Sequence, residues 1–293
     1  MKIKVNERIS LIDFLIVNYP ETPKTRIKKW LQNGCVQYDN SVITKAASIL
    51  SPGTEIEIDT HASGKELSKT SFPFQILFED QYLFAVEKPA GISSVGDLNT
   101  ANIFKMAAVY LKEKSKGKLS VFVVHRLDKE VSGVLLFAKT FYVMNIIKDN
   151  WSENIKIYNA LVEGCPKEPE GEIRSWLKEN NQMFVYSTNE QADAKLAITH
   201  YRVLDKFEGC TLMEVRLETG RKNQIRVHLS DIGCPIVGDR KYGASDDFVR
   251  RIRLHACSLS LKHPVTGQQL KIESPLPKTF LVINPHDENY KVY

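Results

Sequence analysis

Between Val121 and Thr140 the chain reads VFVVHRLDKEVSGVLLFAKT. Two apolar, β-branched runs, Val121–Val124 and Val134–Ala138, flank a segment of concentrated charge. Runs of that length and composition fit buried strands. The segment between them, His125-Arg126-Leu127-Asp128-Lys129-Glu130, is then a charged loop held by two core strands and closed by Ser132-Gly133. Such a frame fixes a reactive group rigidly, whereas the bland alternative is an ordinary polar turn.

The remaining strands and helices follow from local pattern. Gln75–Phe78, Leu83–Glu87, Ile155–Glu163, Ala194–Asp205, Thr211–Leu217, Cys257–Leu261 and Leu270–Glu273 read as strands, many joined by short turns such as His263–Gly267. Ile103–Lys112, Thr140–Trp151 and Lys222–Ile232 read as helices, the last with Ile225, Leu229 and Ile232 facing the core. Strands outnumber helices, so the expected class is α+β, with a mainly antiparallel mixed sheet flanked by helices. No phosphate-binding glycine loop of the nucleotide-binding kinds occurs.

Residues 1–60 read as a separate small unit. Ser10 caps a helix bearing Leu11, Ile12, Phe14, Leu15 and Val17, and Pro20 ends it. A second helix, Lys24 to Asn33, buries Ile27, Trp30 and Leu31, with Gly34 placed to terminate it. Short strands follow at Val36–Tyr38, Val42–Ile43 and Glu55–Ile58. The unit carries 8 Lys/Arg against 7 Asp/Glu, yet Lys24, Arg26, Lys28 and Lys29 crowd one helix. Local charge of this kind suits phosphate contacts, and a merely solvated helix face is the alternative. Residues 61–72 are polar and read as a linker, with the larger domain spanning 73–293.

The 293 residues are 43% hydrophobic and 26% charged, which permits a sizeable core and argues against wholesale disorder. A net charge of +5 is compatible with a polyanionic partner. Cys35, Cys165, Cys210, Cys234 and Cys257 are odd in number and lack metal or redox spacing. Free thiols, no signal-peptide run and no bilayer-length apolar stretch lead to the expectation of a soluble cytoplasmic protein.

Three polar groups sit in apolar surroundings: the HRLD segment, Tyr158 within IYNALVEG, and GRKNQIRVH around Arg226. Singly, each is equally a turn carboxylate, a packed tyrosine or a solvated arginine. Together with KPAGISS, the run ETGRKNQIRVHLSDIGCPIVGDRKYG and the closing LHACSLSLKHPVTGQQLKIESPLP, they resemble the RluA-type family of pseudouridine synthases over roughly residues 74–280. KTRIKKWLQNGCVQYDN and PGTEIEI likewise resemble the alpha-L RNA-binding domain shared by a ribosomal protein and several RNA-modifying enzymes.

The resemblance implies a cofactor-free isomerase that converts uridine to pseudouridine within structured RNA, most naturally large-subunit rRNA, with tRNA as the alternative. It implies Asp128 as the catalytic carboxylate and Arg226 as its ion-pair partner. Tyr158 would be the aromatic against the uracil, with a phenol placed to assist proton transfer from carbon 5. Arg126 would hold open the strand from which the base is flipped. Arg221 and Lys222 would lie near phosphates, as would Lys24, Arg26, Lys28 and Lys29 in the first unit. No metal is implied and a monomer is expected. The sequence departs from the family in having Lys222-Asn223 where Thr-His is usual, in Lys129, Glu130 and Val131, and in lacking a histidine after KPAG. Other readings are an RNA-binding assembly protein that does not use its chemistry, and a hydrolase built on Asp128 and His125. A metal set of His125, His228, His255 and Asp128 has no supporting spacing.

Overall fold

Contacts within the computed structural model divide the chain into two units, residues 1–70 and 71–293. The structure describes residues 2–32, 36–38, 41–42, 46–58, 72–96, 101–245 and 251–282. The expected linker lies outside the described residues except for Phe72, which is buried in the core of the second unit. Gly34, Ile43 and Cys35 also lie outside them.

The first unit comprises β1 (Lys2–Lys4), β2 (Ile9–Ser10), α1 (Leu11–Asn18), α2 (Lys24–Gln32), β3 (Val36–Tyr38), β4 (Ser41–Val42), β5 (Ile49–Leu50) and β6 (Glu55–Ile58). Ser10 caps α1 as expected, its hydroxyl accepting the Asp13 amide at 3.2 Å. Leu11, Phe14 and Leu15 form one buried stripe, and Ile27, Trp30 and Leu31 of α2 face the same core. Lys24, Arg26 and Lys28 of α2 are exposed. A four-stranded antiparallel sheet, β1-β6-β3-β4, completes the unit, and β2 pairs with β5. Strands β1, β2 and β5 were not legible, because segments of two or three residues carry no periodicity of their own.

The second unit contains β7 (Ile76–Glu79), β8 (Leu83–Lys88), α3 (Ile103–Lys114), β9 (Phe122–Val123), β10 (Ser132–Ala138), α4 (Phe141–Asp149) and β11 (Ile155–Glu163). It continues with β12 (Glu170–Glu179), β13 (Val185–Thr188), β14 (Lys195–Phe207), β15 (Cys210–Leu217), α5 (Gln224–Asp231), β16 (Leu254–Lys262) and β17 (Gln269–Glu273). Its sheet runs β13-β12-β14-β15-β11-β16-β10-β8-β7, with β17 on β16 and β9 on β10. Neighbours are antiparallel except β10 and β16, which are parallel.

Alternation within β10 explains why its sequence is apolar throughout. Leu135 and Phe137 enter the core beneath α3 and α5, whereas Val134, Leu136 and Ala138 enter a second core beneath α4. Strand β8 divides in the same way, with Phe84 and Val86 on one side and Leu83 and Ala85 on the other. Thr140 caps α4 by accepting the Val143 amide at 3.2 Å, so that helix starts at Phe141. Strands β12 and β13 correct the sequence reading, which left residues 165–193 unassigned. Their apolar positions are sparse because one face is solvated, but Leu177 and Val185 pack with Val227 and Tyr242 in a small separate core.

Among the described residues no helix is long and apolar enough to cross a membrane. At the start of β10, Gly133 has φ +120°, and a Cβ there would lie 2.2 Å from the Ala256 carbonyl oxygen. The parallel β10–β16 pairing, with Ser132 opposite His255 and Gly133 opposite Ala256, therefore requires glycine. Gly133→Ala is expected to cost about 2 kcal/mol or more. A melting temperature within a degree of wild type in a circular dichroism melt would show the close approach to be relaxed.

Candidate active site

Residues 124–131 form the loop between β9 and β10, and its backbone is tied down at several points. The Leu127 amide donates to Ser94 Oγ at 3.0 Å, and the Ser94 hydroxyl donates back to the Leu127 carbonyl at 2.7 Å. The Gly91 amide donates to the Lys129 carbonyl at 2.8 Å. Lys88, fully buried at the end of β8, donates to the carbonyls of Pro89 (2.9 Å), Ile92 (2.7 Å) and Lys129 (3.0 Å). Burial draws its pKa down to about 8 against the opposing pull of Glu130 and Asp128. The segment KPAGISS thus braces the loop that carries Asp128, and Lys88 and Ser94 are residues the sequence reading passed over.

His125 is part of the same brace. Its Nε2 accepts the Leu136 amide at 3.0 Å, and its ring stacks on Trp151 with centroids 4.9 Å apart. Burial, with Lys156 nearby, holds its pKa down at about 4. His228 binds Ser175 and Thr199, and His255 binds Ser132 and Ser274, both likewise pushed to about 4 by burial. Among the described residues no group of three His, Cys, Asp or Glu side chains is arranged to hold a metal.

Asp128, Tyr158 and Arg226 come from the loop, β11 and α5, and they line one small cavity of about 80 Å³ together with Leu127, Val131 and Leu217. Asp128 Oδ2 lies 3.4 Å from Arg226 Nη1. Burial raises the pKa of the Tyr158 phenol above its ordinary value, and the nearby Asp128 raises it further. A phenol so held stays protonated through the physiological range.

The expected Asp128–Arg226 pair is present, and Asp239 is a second, closer partner of Arg226 that the sequence reading did not include. Its carboxylate receives Nε at 2.6 Å and Nη2 at 2.8 Å, a two-pronged contact at a buried site. Nη1 is left for Asp128 and for Asn223 Oδ1, each at 3.4 Å, and the guanidinium stands 5.0 Å over the Tyr242 ring. Asp239 lies in IVGDRKYG, a run quoted for its resemblance alone. Its turn-like neighbours gave no sign of a buried carboxylate.

Helix α5 starts at Gln224 and not at Lys222, because Asn223 has a left-handed φ of 54°. Asparagine tolerates that conformation. Its amide also donates to the Tyr242 hydroxyl at 3.0 Å, so this departure from the family pattern fits its surroundings. Lys222 is paired with Glu179, and Arg221 Nε donates to the Leu196 carbonyl at 3.0 Å. Arg126 is exposed at the lip of the Asp128 cavity.

Asp239→Asn breaks a buried two-pronged pair while preserving shape. The expected outcome is a destabilisation of about 3 kcal/mol. Turnover should also fall at a temperature where the variant remains folded, because the guanidinium is free to swing from Asp128. Unchanged turnover in the folded variant would remove Asp239 from the positioning of Arg226.

A sequence model of the family described as RNA pseudouridylate synthase matches residues 82–231, just over half of the chain. The chain is 34% identical over 274 residues to ribosomal large subunit pseudouridine synthase D of Nitrosomonas europaea, covering 88% of this chain and 78% of the relative. It is 31% identical over 291 residues to the enzyme of the same name from Pseudomonas aeruginosa, covering 90% and 87%. Among solved structures, human RNA pseudouridylate synthase domain containing 4 superimposes with a TM-score of 0.61 at 26% identity, covering 70% of this chain and 89% of that one. With its large mixed sheet and these likenesses, the chain belongs to the RNA pseudouridylate synthase family, in the RluA-type branch that its motifs resemble.

Proposed function

We propose that this pseudouridine synthase acts on uridines of large-subunit ribosomal RNA, with Asp128 as its catalytic carboxylate. The observation that carries the reading is the convergence of Asp128, Tyr158 and Arg226, from three distant segments, on one cavity. The target class rests on relatives that carry the name of ribosomal large subunit synthases. Breaking a glycosidic bond leaves positive character on the sugar and negative character on the base. A carboxylate beside the ribose meets the first. Arg226, held by Asp239, sets the direction in which that carboxylate points. The Tyr158 ring supports the uracil while it turns, and its protonated phenol passes on the carbon 5 proton only by giving up its own in the same event. Arg126, exposed at the rim, occupies the place a flipped nucleotide leaves. The rearrangement is redox-neutral and intramolecular, so these side chains supply its charges without a cofactor, and one chain contributes the whole site.

The first unit serves as an alpha-L RNA-binding domain. Its support is the exposure of Lys24, Arg26 and Lys28 on the helix whose Ile27, Trp30 and Leu31 are buried. Lys29 adds a fourth basic residue to this stretch of the sequence.

Ribosomal RNA labelled with tritium at uracil carbon 5 is expected to release label with the wild-type protein, and Asp128→Asn to reduce release by at least about a hundredfold. Equal rates would dismiss Asp128, and pseudouridine mapping that finds the product in tRNA would reassign the target. Replacing Lys24, Arg26 and Lys28 together by glutamine is expected to weaken RNA binding. The slope of log affinity against log salt should become shallower by roughly two units. An unchanged slope would make that helix face a solvated surface and nothing more.

A further inference from the structure

Lys156 is a buried cation that the site described above does not use. It lies on β11 two residues before Tyr158, so both side chains leave the same face of the strand. Only 7% of its surface is exposed. Among the described residues its ammonium has a single acceptor, the Trp151 carbonyl at 3.5 Å, and it stands 5.8 Å from the centre of the Trp151 ring. It forms no ion pair with any described carboxylate. Burial lowers its pKa with no opposing acid, and its charge is felt by His125. A buried charge left without a counter-ion is costly, and an anion supplied from outside offsets that cost.

The surroundings match such an anion. Lys156 lines a cavity of about 500 Å³ that adjoins the small one at Asp128 and shares Arg126, Leu127, Asp128, Tyr158, Leu217 and Arg221 with it. The walls of the larger cavity hold five cations (Arg126, Lys129, Lys156, Arg221 and Lys222) against one carboxylate, Asp128, which already faces Arg226. Lys222 is neutralised by Glu179, whereas Arg126, Lys129 and Lys156 make no ion pair among the described residues. Ser93 and Ser94 of the bracing segment line another part of it. The cavity therefore joins the seat of the target nucleotide to a pocket of uncompensated positive charge.

We propose that this cavity is a phosphate subsite. It takes a phosphodiester of the RNA strand beside the target uridine, with Lys156 as its inner cation and Lys129 at its mouth. This deepens the proposed function, since it takes Asp128 as the seat of the target. The anion closes a charge balance that the protein leaves open. It also anchors the strand on one side of the nucleotide that must leave the stack, so flipping turns that nucleotide about a fixed neighbour. Trp151, held against His125, keeps the ammonium at its station.

The test uses the full-length protein and oligouridylate as the binding probe. Lys156→Met is expected to flatten the slope of log affinity against log salt by about 0.7, the value of one phosphate contact on a single strand. Lys156→Arg is expected to restore it. In wild-type protein labelled at lysine Cε, the Lys156 resonance, identified by its loss in Lys156→Arg, should show a pKa raised by added oligouridylate. A slope unaltered in a Met variant that melts like wild type would overturn the proposal, as would a Lys156 pKa that RNA does not move. If Lys156→Met fails to fold, the wild-type titration decides alone. Tritium release is scored separately. Release with no Lys156 effect removes the subsite and leaves the synthase reading standing, whereas a full Lys156 effect with no release from ribosomal RNA removes the target assignment and keeps the subsite.

Discussion

Two buried cations hold the site, and the rest of the structure is arranged to keep them there. Lys88 gathers the carbonyls of Pro89, Ile92 and Lys129, which ties the segment after β8 to the Asp128 loop. Arg226 is gripped by Asp239 and offers its remaining nitrogen to Asp128, which fixes the side chain. Neither cation tolerates burial alone. Lys88 depends on the end of β8 meeting the loop before β10, and Arg226 depends on α5 meeting the turn that carries Asp239. The long mixed sheet serves this end by bringing β8, β10, β16 and β11 side by side, so that residues far apart in sequence converge at Asp128.

What the sequence made legible was the chemistry more than its supports. The segments around Asp128, Tyr158 and Arg226 drew notice because polar groups interrupt apolar runs, but singly each read as bland, and only their joint resemblance to the family singled out these three residues. Asp239 and Lys88 did not stand out, since GDRKYG and KPAG are rich in turn-forming residues and a charge in a turn is read as solvated. Burial at those two positions is a tertiary fact created by elements 40 or more residues away for Lys88 and 13 for Asp239. The strands show the same division. β10 and β8 were plain from composition because both faces are covered, whereas β12 has one wet face and too few apolar residues to be separated from a loop. The start of α5 was misjudged by two residues because the left-handed conformation of Asn223 cannot be read from periodicity.

The placement of the histidines weighs against the hydrolase reading. A base paired with Asp128 needs a ring nitrogen free to face it. His125 accepts the Leu136 amide at Nε2, which leaves the ring proton on Nδ1 and no basic nitrogen for Asp128, and its ring is clasped by Trp151. Its low pKa leaves it a weak base at neutral pH. His228 and His255 are likewise engaged with hydroxyls and a carbonyl on other elements. Their work is to satisfy buried polar groups, and on the proposed function the chemistry falls to a carboxylate, a phenol and a guanidinium.

A binding protein without chemistry would have little use for this arrangement. Asp128 is the one acid in a cavity wall that otherwise carries five cations, so for a polyanionic ligand it is a local repulsion. Removing it would strengthen general RNA binding. Instead the fold spends two buried cations, an additional buried acid and a glycine-dependent strand contact on holding that carboxylate in place. A group that works against affinity yet is braced this firmly makes sense when its contribution comes in the transition state, where the sugar carries positive charge and the same carboxylate becomes attractive. On the proposed function the surrounding cations hold the strand by its phosphates, and the single acid acts on the one nucleotide brought out of it.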